Sequence, residues 1–184
     1  GLDMKDINRD GFKDIIAGRY FYLNPGGKME GEWKRSDLGM NVDGYLFADV
    51  DRDDFADVIA EALPGVFWFE ADNMTGTSWS CRKIGEIPRT DHVNGQGGRF
   101  ARLVAGSGGE IILAANEGIW AATIPGEPDI LNNWKFKLII RTGSSEGIGT
   151  GDIDKDGDID LVTGDMLSED KDVSRQVYWH ENPG

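Results

Sequence analysis

Short apolar runs recur along the chain and are separated by polar loops. Three of these runs have the same length and lie just after an acidic loop: Ile15–Ala17, Val58–Ala60 and Leu161–Thr163. An aromatic run follows each of them, reading Y-F-Y-L-N-P-G from Tyr20, V-F-W-F-E-A-D from Val66 and Y-W-H-E-N-P-G from Tyr178. Runs this short, bounded by Gly, Pro, Asn and Asp, are typical of β-strands.

A further strand of the repeat is marked by a tryptophan with an apolar residue five positions later. This pair occurs at Trp33, Trp79 and Trp134. A glycine stands five residues before three of the acidic loops, at Gly1, Gly44 and Gly147. The pattern therefore predicts four short strands per repeat of roughly 43 to 55 residues.

Repeats of four short strands indicate a β-propeller, because one four-stranded sheet buries both of its faces only between neighbouring sheets. We expect an all-β fold with one propeller segment over residues 1–184. The predicted repeats span about 1–40, 41–86, 91–141 and 144–184, and the last lacks its fourth strand. Exposed sheet edges favour aggregation, so we expect these blades to be part of a larger propeller.

The acidic loops share a nine-residue pattern that predicts calcium binding. It occurs at Asp6–Asp14, Asp49–Asp57 and Asp152–Asp160, with oxygen-bearing side chains at positions one, three, five and nine. Calcium takes six to eight oxygen ligands, and position seven can add its main-chain carbonyl. The predicted ligands are Asp6, Asn8, Asp10, Phe12, Asp14, Asp49, Asp51, Asp53, Phe55, Asp57, Asp152, Asp154, Asp156, Asp158 and Asp160.

Two positions distinguish these loops from each other and from an EF-hand. Position twelve is Ala17, Ala60 or Thr163, where an EF-hand loop has a bidentate Glu. Position six is glycine in two loops, which permits the left-handed backbone, but it is Asp54 in the second loop. The second loop is therefore expected to be the weakest of three calcium sites.

The repeat over 91–141 keeps the strand pattern but loses the ligands. With Gly98 as its leading glycine, the loop positions fall on Leu103, Ala105, Ser107 and Ile111, none of which is a carboxylate. We therefore expect this blade to fold without metal.

The net charge of −14 is largely explained by the calcium loops. Eleven of the 33 acidic residues are the aspartates at positions one, three, five and nine, and three bound Ca²⁺ ions would bring the charge to about −8. The chain has no basic patch for nucleic acid, and no apolar run reaches the length of a membrane span. The single cysteine, Cys81, excludes an internal disulfide and is expected to be a buried strand residue.

The loops D-x-D-x-D-G-x-x-D, followed by Trp179-His180-Glu181-Asn182-Pro183-Gly184, resemble the FG-GAP/VCBS family of calcium-binding propeller repeats, also found in integrin α-subunit heads. The resemblance covers nearly the whole chain and implies a propeller, often seven-bladed, with calcium in its blade loops. Calcium modules of modest affinity fill near millimolar calcium, so we expect a secreted, periplasmic or cell-surface location.

Two functions from different classes fit this sequence. The first is a recognition module that binds a glycan or a protein partner. The second is the propeller portion of a secreted sugar-acting enzyme, since similar repeats occur in polysaccharide lyases and aldos-2-ulose dehydratases. Whether the chain is an enzyme stays open, and acid–base candidates within it are Asp91, His92, Arg99 and His180. A scaffold for other domains is a third possibility.

Overall fold

The computed structural model describes residues 1–27, 30–90, 97–141, 147–165 and 176–184. Fifteen strands and one short 3₁₀ helix are found within these ranges. The strands are β1 (Leu2–Lys5), β2 (Asp14–Ala17), β3 (Tyr20–Leu23), β4 (Lys34–Asp37), β5 (Asp43–Ala48), β6 (Asp57–Ala62), β7 (Gly65–Ala71), β8 (Trp79–Glu86), β9 (Gly98–Ala101), β10 (Glu110–Ala115), β11 (Gly118–Thr123), β12 (Lys137–Arg141), β13 (Ile148–Gly151), β14 (Asp160–Asp165) and β15 (Gln176–His180). No helix in these ranges is long and apolar enough to cross a membrane.

Four antiparallel sheets form the blades of a β-propeller. Blades 1 to 3 are the meanders β1–β4, β5–β8 and β9–β12, and blade 4 has β13–β15 in its described residues. The innermost strands of successive blades lie against one another, β1 against β5, β5 against β9 and β9 against β13. The all-β propeller fold predicted from the repeats is confirmed.

The apolar core lies between the blades. Ile16 and Phe21 of blade 1 pack with Phe47 of blade 2, and Phe21 also meets the Trp79 ring edge to face at 5.8 Å between centroids. A second cluster joins blade 2 to blade 3 around the fully buried Trp68, and a third joins blade 3 to blade 4. Blades 1 to 3 therefore bury the face that each turns to the next blade, which is why four-stranded repeats are stable only when stacked.

The leading glycine of the second repeat allows the first two blades to approach closely. A Cβ on Gly44 would lie 2.5 Å from Ile16 Cγ1 and 2.8 Å from the Gly18 carbonyl oxygen. The Gly44 N–H donates to that carbonyl at 2.7 Å. The position requires glycine because no side chain fits between two backbones at this separation.

One expectation from the sequence is wrong at strand β8. Cys81 is exposed, although we expected a buried residue. β8 is the outermost strand of blade 2, so alternate side chains along it face solvent.

Candidate functional site

The three acidic loops join the first two strands of blades 1, 2 and 4. In each loop, positions four and six adopt the left-handed backbone conformation, with φ values of 59° at Arg9, 90° at Gly11, 67° at Arg52, 75° at Asp54, 69° at Lys155 and 100° at Gly157. Asp54 therefore takes the glycine-like conformation expected of position six. Two left-handed residues turn the loop back on itself, so the side chains of the odd positions converge.

The loop of blade 2 brings three carboxylates together. The oxygens of Asp49, Asp51 and Asp53 lie within 4.8 Å of one another. Asp49 Oδ1 is buried and has no hydrogen-bond partner among the described residues. Desolvation, with the charges of Asp51 and Asp49, raises the pKa of Asp53. A divalent cation fits this set because it would neutralise the repulsion and give the buried oxygen a partner.

The loop of blade 4 forms a similar but more open group. Asp152, Asp154 and Asp156 also lie within 4.8 Å of one another, and all three are exposed. The pKa of Asp154 is raised by partial desolvation and by the charges of Asp156 and Asp160. The same hard oxygen ligands are present as in blade 2, with less burial.

The loop of blade 1 offers one carboxylate fewer. Asn8 replaces the second aspartate, and its Nδ2 donates to Asp10 Oδ2 at 3.0 Å. The two oxygens of Asp6 accept the N–H groups of Asp10 and Gly11, at 3.1 and 2.9 Å. This loop thus provides two carboxylates and one amide at positions one, three and five, compared with three carboxylates in the other two loops.

Position seven is tied to position five in all three loops. The position-seven N–H donates to the position-five carboxylate, from Phe12 to Asp10 at 2.9 Å, from Phe55 to Asp53 at 2.7 Å and from Asp158 to Asp156 at 2.9 Å. This hydrogen bond forms the tight turn in which the ligands lie. The position-seven carbonyl as a calcium ligand stays a prediction.

Position nine is a buried anchor for the main chain. Asp14, Asp57 and Asp160 are all 0% exposed and open the second strand of their blades. Each carboxylate accepts two main-chain N–H groups. One is the N–H of position two, from Ile7 to Asp14 at 3.1 Å, from Val50 to Asp57 at 3.0 Å and from Ile153 to Asp160 at 2.9 Å. The other comes from the end of the third strand or just after it, from Asn24 to Asp14 at 2.8 Å, from Ala71 to Asp57 at 3.0 Å and from Asn182 to Asp160 at 2.9 Å. In blades 1 and 4, the first residue of the N-P-G turn, Asn24 or Asn182, therefore donates its N–H to the position-nine aspartate of the same blade.

The three position-nine aspartates differ in the direction in which their pKa is shifted. Burial raises the pKa of Asp57 to about 7, against the opposing effect of its two backbone donors. Burial likewise raises the pKa of Asp14, whereas the N–H groups of Asn182 and Ile153 lower the pKa of Asp160. Whether these carboxylates also bind the ion stays a prediction.

The loop of blade 3 starts one residue earlier than the sequence suggested. Glu110 opens β10, and its Oε2 accepts the Leu103 N–H at 2.7 Å, across the same span that separates Asp14 from Ile7. The loop positions are therefore Arg102, Val104, Gly106 and Glu110, replacing the predicted Leu103, Ala105, Ser107 and Ile111.

The shift has a simple cause and one consequence. Gly97 directly precedes β9, as Gly1 precedes β1 and Gly147 precedes β13, so Gly97 is the leading glycine of this repeat. The sequence prediction used the adjacent Gly98 instead, which shifted every loop position by one residue. Position nine of blade 3 does carry a carboxylate, although none was expected. Positions one, three and five still have none, so a blade without metal stays the prediction.

Sequence reasoning overlooked position four, which is basic in all three acidic loops. Arg9 Nη2 lies 2.9 Å from Asp54 Oδ1 and donates to the Asp54 carbonyl at 3.0 Å. Arg52 lies against the next loop, since a Cβ on Gly108 would be 2.7 Å from its Nη2. Arg9 and Arg52 thus each reach from one loop to the loop of the next blade. The repeated basic residue at position four was the signal that could have revealed this.

An open cleft of about 370 Å³ lies between the inner strands of the first three blades. Its walls combine charged and aromatic side chains and are formed by Leu2, Asp3, Lys5, Tyr45, Leu46, Phe47, Gly98, Arg99 and Phe100. Arg99, an acid–base candidate from the sequence, is in this cleft. The other walls could not be assigned from the sequence because they come from three blades far apart along the chain.

The other acid–base candidates do not lie at the cleft or lie outside the described residues. The His180 ring nitrogen Nε2 is 2.9 Å from the Thr163 hydroxyl, and burial lowers the pKa of His180. Asp91 and His92 lie outside the described residues.

The comparisons with known proteins support the fold. No family model matches the chain, and no curated protein matches it. Among solved structures, the chain is similar to a lectin of Agrocybe aegerita, described as specifically recognising non-reducing terminal N-acetylglucosamine. The TM-score is 0.53 at 18% identity, and the match covers 88% of this chain and 46% of the lectin chain. The chain thus spans about half the length of that structure, and the likeness extends to the propeller fold.

Proposed function

We propose that this chain is a calcium-stabilised, extracellular β-propeller module that recognises carbohydrate. The proposal is carried by the cleft between the inner strands, whose lining residues include the hydrogen-bonding side chains of Asp3, Lys5 and Arg99 and the partly exposed Phe100. The similarity of the fold to a lectin supports it at a coarse level. The ligand-rich loops support the calcium part, and calcium loops of this type support a secreted, periplasmic or cell-surface location.

The chemistry of the cleft suits a sugar. Phe100 is 39% exposed, and one edge of its ring packs against Gly109, where an added Cβ would lie only 2.3 Å from the ring. A fixed aromatic face can pack on the C–H face of a sugar ring. Asp3 can accept hydrogen bonds from hydroxyl groups, while Lys5 and Arg99 can donate to them. Few, well-placed polar groups around an apolar surface are the usual composition of a small-ligand site.

In blade 1, a calcium ion in the loop would also fix the position of a residue that lines the cleft. Lys5 is the last residue of β1, and Asp6 is the first residue of the loop. An ion held by Asp6, Asn8 and Asp10 would fix the end of β1 and with it the origin of the Lys5 side chain. The loop of blade 4 has no such connection, because the walls of the cleft come from blades 1 to 3.

The test is glycan binding by the purified chain, first on a glycan array and then by calorimetry, with calcium and with chelator. Asp10→Ala should weaken both calcium binding and glycan binding. The matched variant Asp156→Ala should lower calcium stoichiometry by one and leave glycan affinity unchanged. A folded, calcium-loaded chain that binds no glycan would refute carbohydrate recognition, and calcium binding would fail separately if neither variant changed the stoichiometry.

A sugar-acting enzyme is the second candidate, favoured by the location of Arg99 in the cleft. A lyase or dehydratase would convert a bound glycan into an unsaturated product that absorbs in the ultraviolet. Prolonged incubation of the calcium-loaded chain with each glycan it binds separates the two functions. A rise in absorbance that disappears in Arg99→Gln would favour the enzyme, whereas recovery of unchanged glycan would favour the binding module.

We also propose that further blades of the same polypeptide cover the outer face of blade 4. Phe21, Trp68 and Trp179 occupy equivalent positions, each paired with the third residue of the second strand of its blade. The next blade covers the first two, which are 1% and 0% exposed, whereas Trp179 is 48% exposed. The mass of the natural polypeptide under denaturing conditions should therefore be well above 20.2 kDa, and a mass near that value would refute the proposal.

A further inference from the structure

The cleft between the inner strands has an unusual charge for this chain. The whole chain has a net charge of −14, yet the charged residues of the cleft are two cations, Lys5 and Arg99, and one carboxylate, Asp3. The carboxylate is already engaged, since its two oxygens accept the N–H groups of Met4 and Phe47, both at 2.8 Å. The lining residues of the cleft therefore carry two positive charges and one negative charge, in a chain that is strongly negative overall.

Among the described residues, neither cation of the cleft has an ion-pair partner. Arg99 Nη1 donates to the Gly98 carbonyl at 2.7 Å, which holds the guanidinium beside the inner strand and leaves its other N–H groups unassigned. A planar guanidinium held in this way is suited to a carboxylate, which it can bind through two parallel hydrogen bonds.

We propose that the cleft selects acidic sugars, with a uronic acid carboxylate bound by Arg99 and Lys5. Asp3 can accept a hydrogen bond from a sugar hydroxyl in addition to its two main-chain donors. This inference rests on the proposed carbohydrate recognition and names the ligand class of the same cleft. Arg99 is exposed and Lys5 is partly exposed. A carboxylate would form charge-assisted hydrogen bonds with both, which a neutral sugar cannot form, so the acidic ligand is preferred.

The experiment compares an oligogalacturonate with a neutral galactose oligosaccharide of the same length, by calorimetry in excess calcium. The acidic ligand should bind at least about tenfold more tightly, and its affinity should fall as salt is raised. Arg99→Gln and Lys5→Gln should each weaken acidic binding by roughly 10- to 100-fold, because each removes a charge-assisted hydrogen bond. Lys137→Gln is the matched control, since Lys137 is exposed on the outermost strand of blade 3.

Each outcome decides between the proposals. Equal or tighter binding of the neutral ligand overturns the acidic preference and leaves carbohydrate recognition standing. Binding of neither ligand by a folded chain overturns the acidic preference, and an empty glycan array in addition overturns carbohydrate recognition. If Arg99→Gln lowers the melting temperature, Arg99→Lys serves as the second variant: it keeps the charge but loses the bidentate geometry, so retention of full affinity would overturn the role of Arg99.

Discussion

Asp53→Ala should lower stability in calcium but change it little in chelator, because Asp53 is one of three crowded carboxylates in the loop of blade 2. In chelator, the substitution removes the acceptor for the Phe55 N–H, worth about 1 kcal/mol, and also removes the repulsion that raises the Asp53 pKa. These effects oppose each other, so stability should change little. In calcium, the binding energy of one site is lost, about 2.7 kcal/mol at a free concentration one hundred times the dissociation constant.

Melting temperature is the assay, followed by calorimetry or circular dichroism over a series of free calcium concentrations. For a chain of this size, about 1 kcal/mol corresponds to roughly 2 to 4 °C, so the variant should melt about 5 to 11 °C below the parent in calcium and close to it in chelator. Ser107→Ala, in the loop of blade 3, should keep the calcium stoichiometry and the full calcium shift. An equal loss of stability in chelator and in calcium would show that Asp53 acts without an ion and would refute the calcium site.

Three further predictions concern packing, the anchor of blade 3 and pH. Gly44→Ala should destabilise the chain by about 1 to 3 kcal/mol in chemical denaturation, since the added Cβ meets the Gly18 backbone; unchanged stability would show that the inner strands can separate. Glu110→Ala should cost about 1 to 3 kcal/mol with and without calcium, because it leaves the Leu103 N–H without its acceptor; a calcium-dependent loss would instead indicate a metal in blade 3. His180 has a folded-state pKa below its unfolded value because of burial, so its contribution to stability is full above about pH 6.5 and is lost as the pH falls below it. Melting temperatures from pH 8 to 5 should therefore fall less for His180→Gln than for the parent, and parallel curves would contradict the assignment.

The spacing of the acidic loops predicted most of their local structure. Oxygen ligands at alternate positions and glycine at position six imply a tight turn, and the structure places Asp49, Asp51 and Asp53 together as that spacing requires. The left-handed conformation of Asp54 also followed from its position alone. Such features depend on residues within nine positions of one another, so a single sequence contains the information.

Features that depend on distant residues were missed or misplaced. The cleft combines residues of β1, β5 and β9, and no local pattern links Lys5 to Arg99. In blade 3, the adjacent Gly97 and Gly98 gave two possible alignments, and only the pairing of Ala101 with Glu110 across the sheet decides between them. Cys81 was misjudged because a strand pattern indicates alternation but not which face an edge strand turns to solvent.

The loops and the cleft lie along the same inner strands but carry charges of opposite sign. Each inner strand ends where an acidic loop, or its counterpart in blade 3, begins, so Lys5 leads into Asp6, Ala48 into Asp49 and Ala101 into Arg102. The loops concentrate carboxylates at the ends of the strands, while the cleft along the same strands holds the cations. An ion in each acidic loop would reduce the negative charge closest to the cleft, and the field at Lys5 and Arg99 would become more positive. Calcium would then favour an acidic ligand in two ways, by fixing the ends of the inner strands and by reducing the competing charge.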